Sequence, residues 1–461
     1  MNKHASLDKI QSWAKRKGFV FPCSEIYGGL ANSWDYGPYG VLLKNNIRDS
    51  WWKRFVKSRE DIVGLDSSII LNPKVWEASG HVESFKEALI DCKNCKNRTA
   101  AEKLIEESTG EIMDGKSVEI LNDIIQKSKI KCPVCGSFDW TPARLFSNLF
   151  ETSIGIVKDS ESRAYLRGET AQGIFVNFKP VVDSMRVRVP FGIAQVGKAF
   201  RNEITKGQFT FRTLEFEQME IEYFIHPSSD WQKIFDEWME ELKNWYISIG
   251  LSEANLRKRE HGDEERSFYS KKTVDLEYEF DFGWKELYGQ AYRTDYDLSK
   301  HSEFSGKDLS YRDPKSGEKY IPHVVEPSIG LSRAMLCVMY DAYTEEDLGD
   351  GKTRTVIRFA PNIAPIKAAV LPLQKDEKLR TKSREIYEEL KKSLSVEYDD
   401  SGNIGKSYRR QDEIGTPYCI TVDYDSLEDG TVTLRDRDSM EQERVQVSEL
   451  LKYIQDKLDN N

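Results

Sequence analysis

Two charged clusters, Phe200-Arg-Asn-Glu203 and Arg212-Thr-Leu-Glu-Phe216, lie between two stretches of alternating side-chain character. An apolar run, Phe191-Gly-Ile-Ala-Gln-Val-Gly197, precedes the first cluster, and Glu217-Gln-Met-Glu-Ile-Glu-Tyr-Phe224 follows the second. Period-two alternation on both sides of Thr205-Lys-Gly-Gln208 predicts two antiparallel strands joined by a polar loop. Guanidinium groups suit phosphate oxygens and an aromatic ring suits a base, so this hairpin favours a nucleoside triphosphate site.

A further arginine motif, Glu326-Pro-Ser-Ile-Gly-Leu-Ser-Arg333, lies far downstream. Any one of these arginines alone would be explained more simply by an ordinary hairpin whose charged face is solvated. The presence of a second arginine motif argues against that explanation. The sequence contains neither a G-x-x-x-x-G-K-[ST] loop nor the glycine-rich loop and lysine of kinases. A nucleotide is therefore expected on an antiparallel sheet, where arginines and Mg²⁺ bind its phosphates.

The composition of the 461 residues predicts a protein of two or three domains with a charged surface, since 39% are hydrophobic and 31% charged. The sequence contains no run of about 18 apolar residues, which a membrane span would require. The N-terminus lacks the apolar core of a secretory signal. A cytoplasmic protein is therefore expected. The net charge of −10 argues against a DNA-binding protein that relies on electrostatics alone. It leaves open the recognition of a folded RNA through local basic patches.

Four of the seven cysteines form two C-x-x-C pairs, Cys92 with Cys95 and Cys132 with Cys135. In a reducing compartment this pattern favours tetrahedral thiolate coordination of a structural Zn²⁺. The alternative is a site that has lost its metal or binds it weakly. The spacing between the pairs exceeds that of a compact finger, so a helical segment at 100–129 is expected to loop out. Four thiolates leave no open position for catalysis.

Periodicity divides the chain into a larger and a smaller unit, with a boundary near residues 360–365. In the larger unit we expect a long helix at 41–55, a strand at 62–71, an inserted segment without core periodicity at 81–142, a strand-rich stretch at 164–224 and helices at 229–249 and 331–343. Beyond the boundary, alternating strands and helices predict a compact, mostly parallel α/β domain with helices at 379–394 and 448–458.

The set Phe200-Arg-Asn-Glu203, Arg212-x-x-x-Phe216 and Gly330-x-x-Arg333 resembles motifs 2 and 3 of class II aminoacyl-tRNA synthetases. Further stretches resemble the bacterial homodimeric glycyl-tRNA synthetases and extend the resemblance over nearly the whole chain. These are Trp34-Asp-Tyr-Gly-Pro38, Asn72-Pro-Lys-Val-Trp-Glu-Ala-Ser-Gly-His81, Glu169-Thr-Ala-Gln-Gly-Ile-Phe175, Phe216-Glu-Gln-Met-Glu220, Arg293-Thr-Asp-Tyr-Asp-Leu298 and residues 405–418.

The resemblance implies an α+β fold, in which residues 1–363 form a class II antiparallel sheet flanked by helices. Within it we expect the cysteine-bearing zinc-knuckle insertion at about 81–142 and a helical insertion at about 226–272. Residues 364–461 would form an α/β anticodon-binding domain. The implied activity is a ligase that converts glycine and ATP to glycyl-adenylate and transfers glycine to tRNA(Gly).

The resemblance also implies how ATP is bound. Arg201 would contact the α-phosphate, Arg212 the γ-phosphate, and adenine would lie between Phe216 and Arg333. Glu203 and Glu286 would be the carboxylate partners of Mg²⁺, and Arg201, Arg333 and Glu203 the catalytic residues. The full set expected to contact ATP is Arg201, Asn202, Glu203, Phe211, Arg212, Thr213, Leu214, Glu215, Phe216, Glu286, Leu287, Gly330, Leu331, Ser332 and Arg333.

For glycine, a pocket of Glu169, Glu220 and Glu326 with Ser328 would surround the ammonium with negative charge and exclude a methyl group. Any one of these glutamates alone would be interpreted as a surface carboxylate. The full set expected to contact glycine is Glu169, Phe216, Glu217, Gln218, Met219, Glu220, Glu326, Pro327, Ser328, Ile329 and Gly330.

A homodimer is expected because Asn72-Pro73 matches motif 1 and because the helix of Trp51 and Trp52 carries more apolar surface than one sheet face needs; packing within one chain is the alternative. The chain departs from the family pattern at four positions, Ala100, Ser147, Gly168 and Leu214, which puts contacts with adenylate or the tRNA end in doubt. Two alternatives remain: a divergent paralogue that activates another small amino acid, and a non-catalytic tRNA-binding protein on this scaffold.

Overall fold

The computed structural model describes residues 5–459 apart from 112, 114–115, 157–161, 204–207, 264, 268 and 350. Its N-terminal elements are α1 (Leu7–Arg16), β1 (Val20–Pro22), β2 (Trp34–Tyr36), α2 (Pro38–Trp52), β3 (Ile62–Gly64), α3 (Pro73–Ala78) and α4 (His81–Ser84). Helix α2 begins with a proline at its first turn and continues as a π-helical segment, Lys53–Lys57. The strand predicted at 62–71 ends at Gly64. Beyond it only Ile70 makes a β-bridge, with Leu166, before Asn72 caps α3.

The cysteine-bearing insertion forms a small unit with a core of its own. Its elements are β4 (Lys86–Asp91), β5 (Arg98–Ala100), α5 (Ala101–Thr109), α6 (Val118–Lys127) and β6 (Arg144–Ser147), and its sheet order is β5-β4-β6. Ile90, Leu104, Ile105, Leu121 and Ile125 are buried together. The expectation that this segment lacks core periodicity was wrong, because its apolar positions follow two periods in turn, that of a strand and that of a helix.

The segment after the insertion builds most of the principal sheet. Its elements are β7 (Glu151–Ser153), β8 (Arg163–Tyr165), α7 (Ala171–Val176), α8 (Phe178–Met185), β9 (Phe191–Phe200), β10 (Glu215–Ile225), α9 (Trp231–Ser248), β11 (Leu256–Glu260), β12 (Lys272–Phe280), β13 (Gly283–Thr294), α10 (Tyr296–Ser305), β14 (Tyr311–Arg312), β15 (Lys319–Tyr320), β16 (His323–Gly330), α11 (Leu331–Ala342), β17 (Tyr343–Asp347) and β18 (Thr353–Ile357). The predicted strand-rich stretch at 164–224 thus also holds two helices, α7 and α8. The segment at 226–272 holds a strand, β11, besides its helix.

Seven strands form the principal sheet in the order β11-β12-β13-β16-β10-β9-β3, antiparallel except for the β3–β9 pair. The predicted hairpin is confirmed: β9 pairs with β10 from Phe200 opposite Glu215 to Phe191 opposite Phe224. Most of the predicted loop at 205–208 lies outside the described residues. Both arginines predicted on the hairpin lie in the connection, just beyond the strand ends.

The two faces of this sheet have different roles. Met219, Ile221 and Tyr223 of β10 point into the main hydrophobic core, which α2, α9 and α11 cover. Gln218 and Glu220 alternate with them and point to the opposite face, because successive strand side chains alternate. The polar face of the central strands is therefore free to form a binding site.

The C-terminal region forms a second sheet with a separate core. Its elements are β19 (Ala368–Pro372), α12 (Glu377–Leu390), β20 (Val396–Tyr398), α13 (Ile404–Asp412), β21 (Tyr418–Val422), α14 (Asp425–Glu428), β22 (Thr431–Asp436), β23 (Gln442–Gln446) and α15 (Leu450–Asp459). The order is β20-β19-β21-β22-β23, and only the first three strands are parallel. The sheet is therefore mixed rather than mostly parallel, because the short β21–β22 and β22–β23 connections require antiparallel neighbours.

No described helix combines the length and the apolar character that crossing a membrane requires.

Candidate active site

A cleft opens on the polar face of the principal sheet, and the four side chains expected around ATP, Arg201, Arg212, Phe216 and Arg333, all line it. They come from the β9–β10 connection, the start of β10 and the first turn of α11. Its full lining is Arg201, Glu203, Thr210, Phe211, Arg212, Thr213, Phe216, Gln218, Glu286, Ser328, Gly330, Ser332 and Arg333.

The two arginines of the β9–β10 connection are held by different contacts. Arg201 donates from Nε to the carbonyl of Gly168 at 3.1 Å, and its guanidinium lies 5.3 Å from the centre of the Phe216 ring. Arg212 Nη1 lies 3.5 Å from a carboxylate oxygen of Glu203. Both guanidinium groups remain on the wall of the cleft, where phosphate oxygens can reach them.

Arg333 also lines the cleft, and three contacts hold its guanidinium in place. It forms an ion pair of 2.9 Å with Glu286 and donates from Nε to the carbonyl of Phe211 at 3.3 Å. Its guanidinium lies 4.6 Å from the centre of the Phe211 ring. Although burial acts to raise the pKa of Glu286, the charge of Arg333 keeps that pKa below its ordinary value. The aromatic residue that supports Arg333 here is Phe211, a role that the sequence did not assign to it.

Next to the cleft, the expected glycine-binding carboxylates come together in a buried cluster. Glu220 accepts hydrogen bonds from Thr170 N at 2.9 Å, Gln218 Nε2 at 3.0 Å and Ser328 Oγ at 2.6 Å, and also from the Thr170 hydroxyl. Glu169 lies 3.2 Å from His81 Nε2. Burial acts to raise the pKa of Glu169, but His81 and Arg293 hold it below the ordinary value.

The third carboxylate, Glu326, is bound by Arg293, whose Nη1 contacts both of its oxygens at 3.0 and 2.9 Å. Arg293 also binds Asp297 at 2.7 and 2.8 Å. Burial, with the carboxylates of Glu220 and Glu169, raises the pKa of Glu326 to about 8 against the opposing effect of Arg293. From the sequence, Arg293 was identified only within a motif that resembles the family. Asp297 lies four residues later in the same motif, and this spacing of opposite charges could have predicted the buried ion pair.

Glu222 is a further carboxylate on the polar face that the sequence analysis did not single out. It is fully buried, and neither of its oxygens has a hydrogen-bond partner among the described residues. Burial and the nearby Glu326 raise its pKa well above the ordinary value. Its place two residues after Glu220 on the same strand face was the signal in the sequence.

Several side chains that were expected to contact ATP or glycine lie away from the cleft. The alternation of side chains along a strand explains most of these cases. Met219, Leu287, Ile329 and Leu331 belong to the main core, and Pro327 shares the face of Ile329. Glu217 pairs with Lys44 and Glu215 with Lys198, both directed away from the cleft. Asn202 and Leu214 contribute backbone contacts: Asn202 N donates to Asn148 O, and Leu214 O accepts from Arg201 N. None of these residues lines the cleft.

None of the four departures from the family pattern lines the cleft. Gly168 supplies the carbonyl that holds Arg201, and a Cβ at this position would lie 3.0 Å from Leu149. Ser147 Oγ accepts from Leu149 N, and Ala100 is buried at the end of β5. Leu214 is bound through its backbone N–H to Asn32 O.

The two cysteine pairs form equivalent turns that face each other. Lys96 N donates to Cys92 O at 2.9 Å, and Gly136 N donates to Cys132 O at 2.8 Å. The Sγ atoms of Cys92 and Cys135 lie 3.6 Å apart, as do those of Cys95 and Cys132, and all four lie within 4.8 Å of one another. A tetrahedral ion with metal–sulfur bonds of about 2.3 Å separates its sulfurs by about 3.8 Å, so the cluster has the dimensions of a four-thiolate metal site.

Comparisons with known proteins agree with this architecture. Residues 150–342 match the model of the tRNA synthetase class II core domain (G, H, P, S and T), and residues 367–457 match that of the anticodon binding domain. Fold, cleft and family models together define a class II aminoacyl-tRNA synthetase.

Curated relatives identify the family within this class. The chain is 54% identical to the glycine–tRNA ligase of Clostridium tetani, over 100% of both chains. It is also 54% identical to those of Alkaliphilus oremlandii and Geobacillus kaustophilus, over 99% and 98% of this chain and 100% and 99% of theirs. The chain belongs to the glycine–tRNA ligase family, and the resemblance found in the sequence is confirmed.

Proposed function

We propose that this chain activates glycine with ATP and transfers the glycyl group to the 3′ end of tRNA(Gly). The observation that carries the proposal is the position of the buried carboxylate cluster beside an arginine-lined cleft on one face of one sheet. A substrate whose ammonium lies in the cluster has its reacting carboxylate directed toward the cleft.

In the first step, a carboxylate oxygen of glycine attacks the α-phosphorus of ATP, and pyrophosphate leaves. Arg201 stabilises the charge that develops on the α-phosphate, and Arg212 holds the γ-phosphate. Phe216 and Arg333 bind adenine from two sides. Class II synthetases use Mg²⁺ with ATP, and Glu203 and Glu286 are the residues that would hold it here. No protein nucleophile takes part, because orientation and charge stabilisation are sufficient.

Glycine is selected by the closed carboxylate cluster. Glu169, Glu220 and Glu326 attract the ammonium, and Ser328 lies beside them on β16 with its hydroxyl bound to Glu220. All three glutamates are buried, so a side chain larger than hydrogen has no solvent-filled space to enter. The set therefore accepts an ammonium and rejects a methyl group.

In the second step, a terminal ribose hydroxyl of tRNA attacks the carbonyl carbon of the adenylate, and AMP leaves. The anticodon-binding domain supplies the distant contact with the same tRNA. We assign residues 1–363 to catalysis and 364–461 to anticodon binding, and we place the protein in the cytoplasm, where translation takes place.

The four-cysteine cluster is proposed to hold one structural Zn²⁺. Two turns of the same geometry present four sulfurs at the separations of a tetrahedral ion, and two of the cysteines, Cys92 and Cys132, are buried. Four thiolates complete the coordination, so the ion stabilises the insertion and takes no part in the reaction.

A homodimer is also proposed, although not on the helix first considered. Trp51 is fully buried in the core of its own chain and Trp52 packs against that core, so α2 does not present the spare apolar surface expected of it. Two strongly exposed apolar side chains lie instead in the β1–β2 connection, where Ile26 is 88% and Tyr27 87% exposed. Asn32 of this connection donates to Glu203 O and accepts from Leu214 N, so a partner that covers it would stabilise the ATP cleft.

The function is tested by ATP–pyrophosphate exchange with glycine, alanine and serine in turn. We expect exchange with glycine alone, and a loss of about 10²-fold or more in Arg201→Ala, because one preorganised donor to the developing charge is removed. Arg188→Ala, at an exposed arginine before β9, is the matched control and should keep the wild-type rate. Exchange with alanine or serine but not glycine would contradict the assigned specificity, and exchange with no amino acid would favour a binding protein.

The acidity of Glu326 predicts a pH dependence of glycine binding. Its pKa of about 8 in the free protein means that the carboxyl is mainly protonated at pH 6 and ionises as pH rises. Since an ammonium ligand favours the ionised form, the KM for glycine should fall by up to about tenfold per pH unit from pH 6 to 8 and then level off. Glu326→Gln should bind glycine weakly with a flat profile. A wild-type KM that is constant from pH 6 to 8 would disprove this assignment.

Metal analysis tests the cysteine cluster. The purified chain should retain about one equivalent of zinc after mild dialysis, and replacement of Cys132 and Cys135 by serine should abolish it. Cys23→Ser, at a cysteine outside the cluster, serves as the control and should retain the metal. A wild-type chain that binds no zinc when refolded with it would show that the cluster is not a metal site.

The oligomeric state is measured by light scattering on the eluted protein. The expected mass is twice the 53.3 kDa of one chain. Tyr27→Asp should shift it toward the monomer, because a charge then replaces an apolar contact, whereas Met440→Asp, at an exposed apolar residue of the C-terminal region, should not. A monomeric wild-type protein at micromolar concentration would exclude the dimer.

A further inference from the structure

Arg167, two residues before Glu169, is buried and forms no ion pair with a carboxylate among the described residues. Its side chain is 2% exposed, and it donates from Nε to Lys198 O and from Nη1 to Ser67 O at 2.8 Å. These carbonyl groups satisfy hydrogen bonds without neutralising the charge, and burial lowers the pKa of Arg167. An isolated buried guanidinium is costly and calls for an explanation.

The other buried arginines in the described part of the chain all have carboxylate partners. Arg293 pairs with Asp297 and Glu326, Arg435 with Asp412, and Arg437 with Asp438. Arg167 forms no such ion pair among the described residues, although the charges of Asp66 and Glu220 oppose the effect of burial on its pKa. Its missing partner is therefore expected to be an anion that binds from outside the chain.

The free end of Arg167 lies on the polar face of the sheet. A Cβ placed on Gly197 would lie 2.2 Å from Arg167 Nη2, so this nitrogen lies directly over the glycine. Gly197 pairs with Gln218, which lines the cleft, across β9 and β10. Opposing residues of an antiparallel pair point to the same face, so Nη2 and Gln218 share the side on which ATP and glycine are bound.

A second unused donor lies beside it. Gln195 is fully buried and pairs with Glu220 across the same strands. Its Oε1 accepts from Ser67 Oγ at 3.0 Å, which fixes the orientation of the amide, and its Nε2 has no partner among the described residues. That Nε2 lies 3.5 Å from the same Cβ position on Gly197. Two N–H donors thus converge over a residue without a side chain.

We propose that Arg167 Nη2 and Gln195 Nε2 bind the carboxylate of the amino-acid substrate. The inference rests on the proposed function and adds the group that neutralises the second charge of glycine. Neighbouring strands are about 4.8 Å apart, so an ammonium at Glu220 on β10 leaves the carboxylate within reach of donors over β9. Arg293 is occupied by Asp297 and Glu326, so it does not supply this contact.

The contact would hold the carboxylate while it reacts. One oxygen stays bound to the donors and the other remains free to attack the α-phosphorus beside Arg201. Gly197 is required in this arrangement, since any side chain there would displace the guanidinium from the substrate.

The test compares glycine with ethanolamine, which has the same ammonium and methylene but a hydroxymethyl group in place of the carboxylate. In Arg167→Gln, the KM for glycine in pyrophosphate exchange should rise by about 10- to 100-fold, the loss expected for a hydrogen bond to a charged group. Inhibition by ethanolamine should change by less than about threefold, because it lacks the affected group. Arg167→Lys should recover part of the loss, and Arg163→Gln, at an exposed arginine of β8, is the control.

The outcomes separate the two proposals. A wild-type chain without glycine-dependent exchange would refute the proposed function and this inference with it. Normal wild-type exchange, with equal weakening of glycine and ethanolamine in Arg167→Gln, would assign Arg167 a structural role and refute this inference alone.

If Arg167→Gln does not fold, Gln195→Met and a crystal structure of the wild type with glycine decide the matter. Gln195→Met should weaken glycine and not ethanolamine. The structure should show a carboxylate oxygen within hydrogen-bond distance of Arg167 Nη2, and a carboxylate bound elsewhere would overturn the proposal.

Discussion

The alternation of side chains along β10 separates the hydrophobic core from the active site, and the rest of the molecule follows from it. Met219, Ile221 and Tyr223 fix the strand to the core, so Gln218 and Glu220 must face the other side. A shift of the β9–β10 register by one residue would bury the apolar set in the cleft and expose the carboxylates to the core. The many pairs between these two strands therefore protect the chemistry as well as the fold.

This arrangement brings several buried carboxyl groups together, and their mutual repulsion is unfavourable. Glu169, Glu220, Glu222 and Glu326 are all buried on one face, and they cannot all be ionised in a cavity without solvent. Arg293 neutralises the charge of Asp297, while burial and the neighbouring carboxylates raise the pKa values of Glu326 and Glu222 above their ordinary range. What remains is an excess of negative charge that a small cation such as an ammonium can balance. The proposed selectivity for glycine thus rests on the same electrostatics.

The sequence predicted those parts of the molecule in which local pattern and chemistry coincide. The hairpin and the four-cysteine cluster belong to this group, because each depends on a period or a spacing. The convergence of Arg201, Arg212, Phe216 and Arg333 was predicted from the family resemblance. Features that depend on distant segments were missed. They are the contact of the Phe211 ring with Arg333, the ion pairs of Arg293 with Asp297 and Glu326, and the burial of Arg167 without an ion pair among the described residues. Trp51 shows the same limit, since amphipathicity reveals that a face is apolar but not which surface covers it. The insertion was misjudged because its strands and helices each supply only a few residues to a shared core.

The position of the insertion connects the proposed metal site with the chemistry. Strand β4 ends at Asp91, next to the first cysteine, and begins at Lys86, next to Phe85. The Phe85 ring lies 5.2 Å from the guanidinium of Arg201, and Asn148, just beyond β6, accepts from the backbone of Asn202. Because β4 pairs with β6 along its length, a constraint at the cysteine end is transmitted to the end that supports Arg201. The structural metal proposed for the cysteines would thus stabilise the wall of the cleft that carries Arg201.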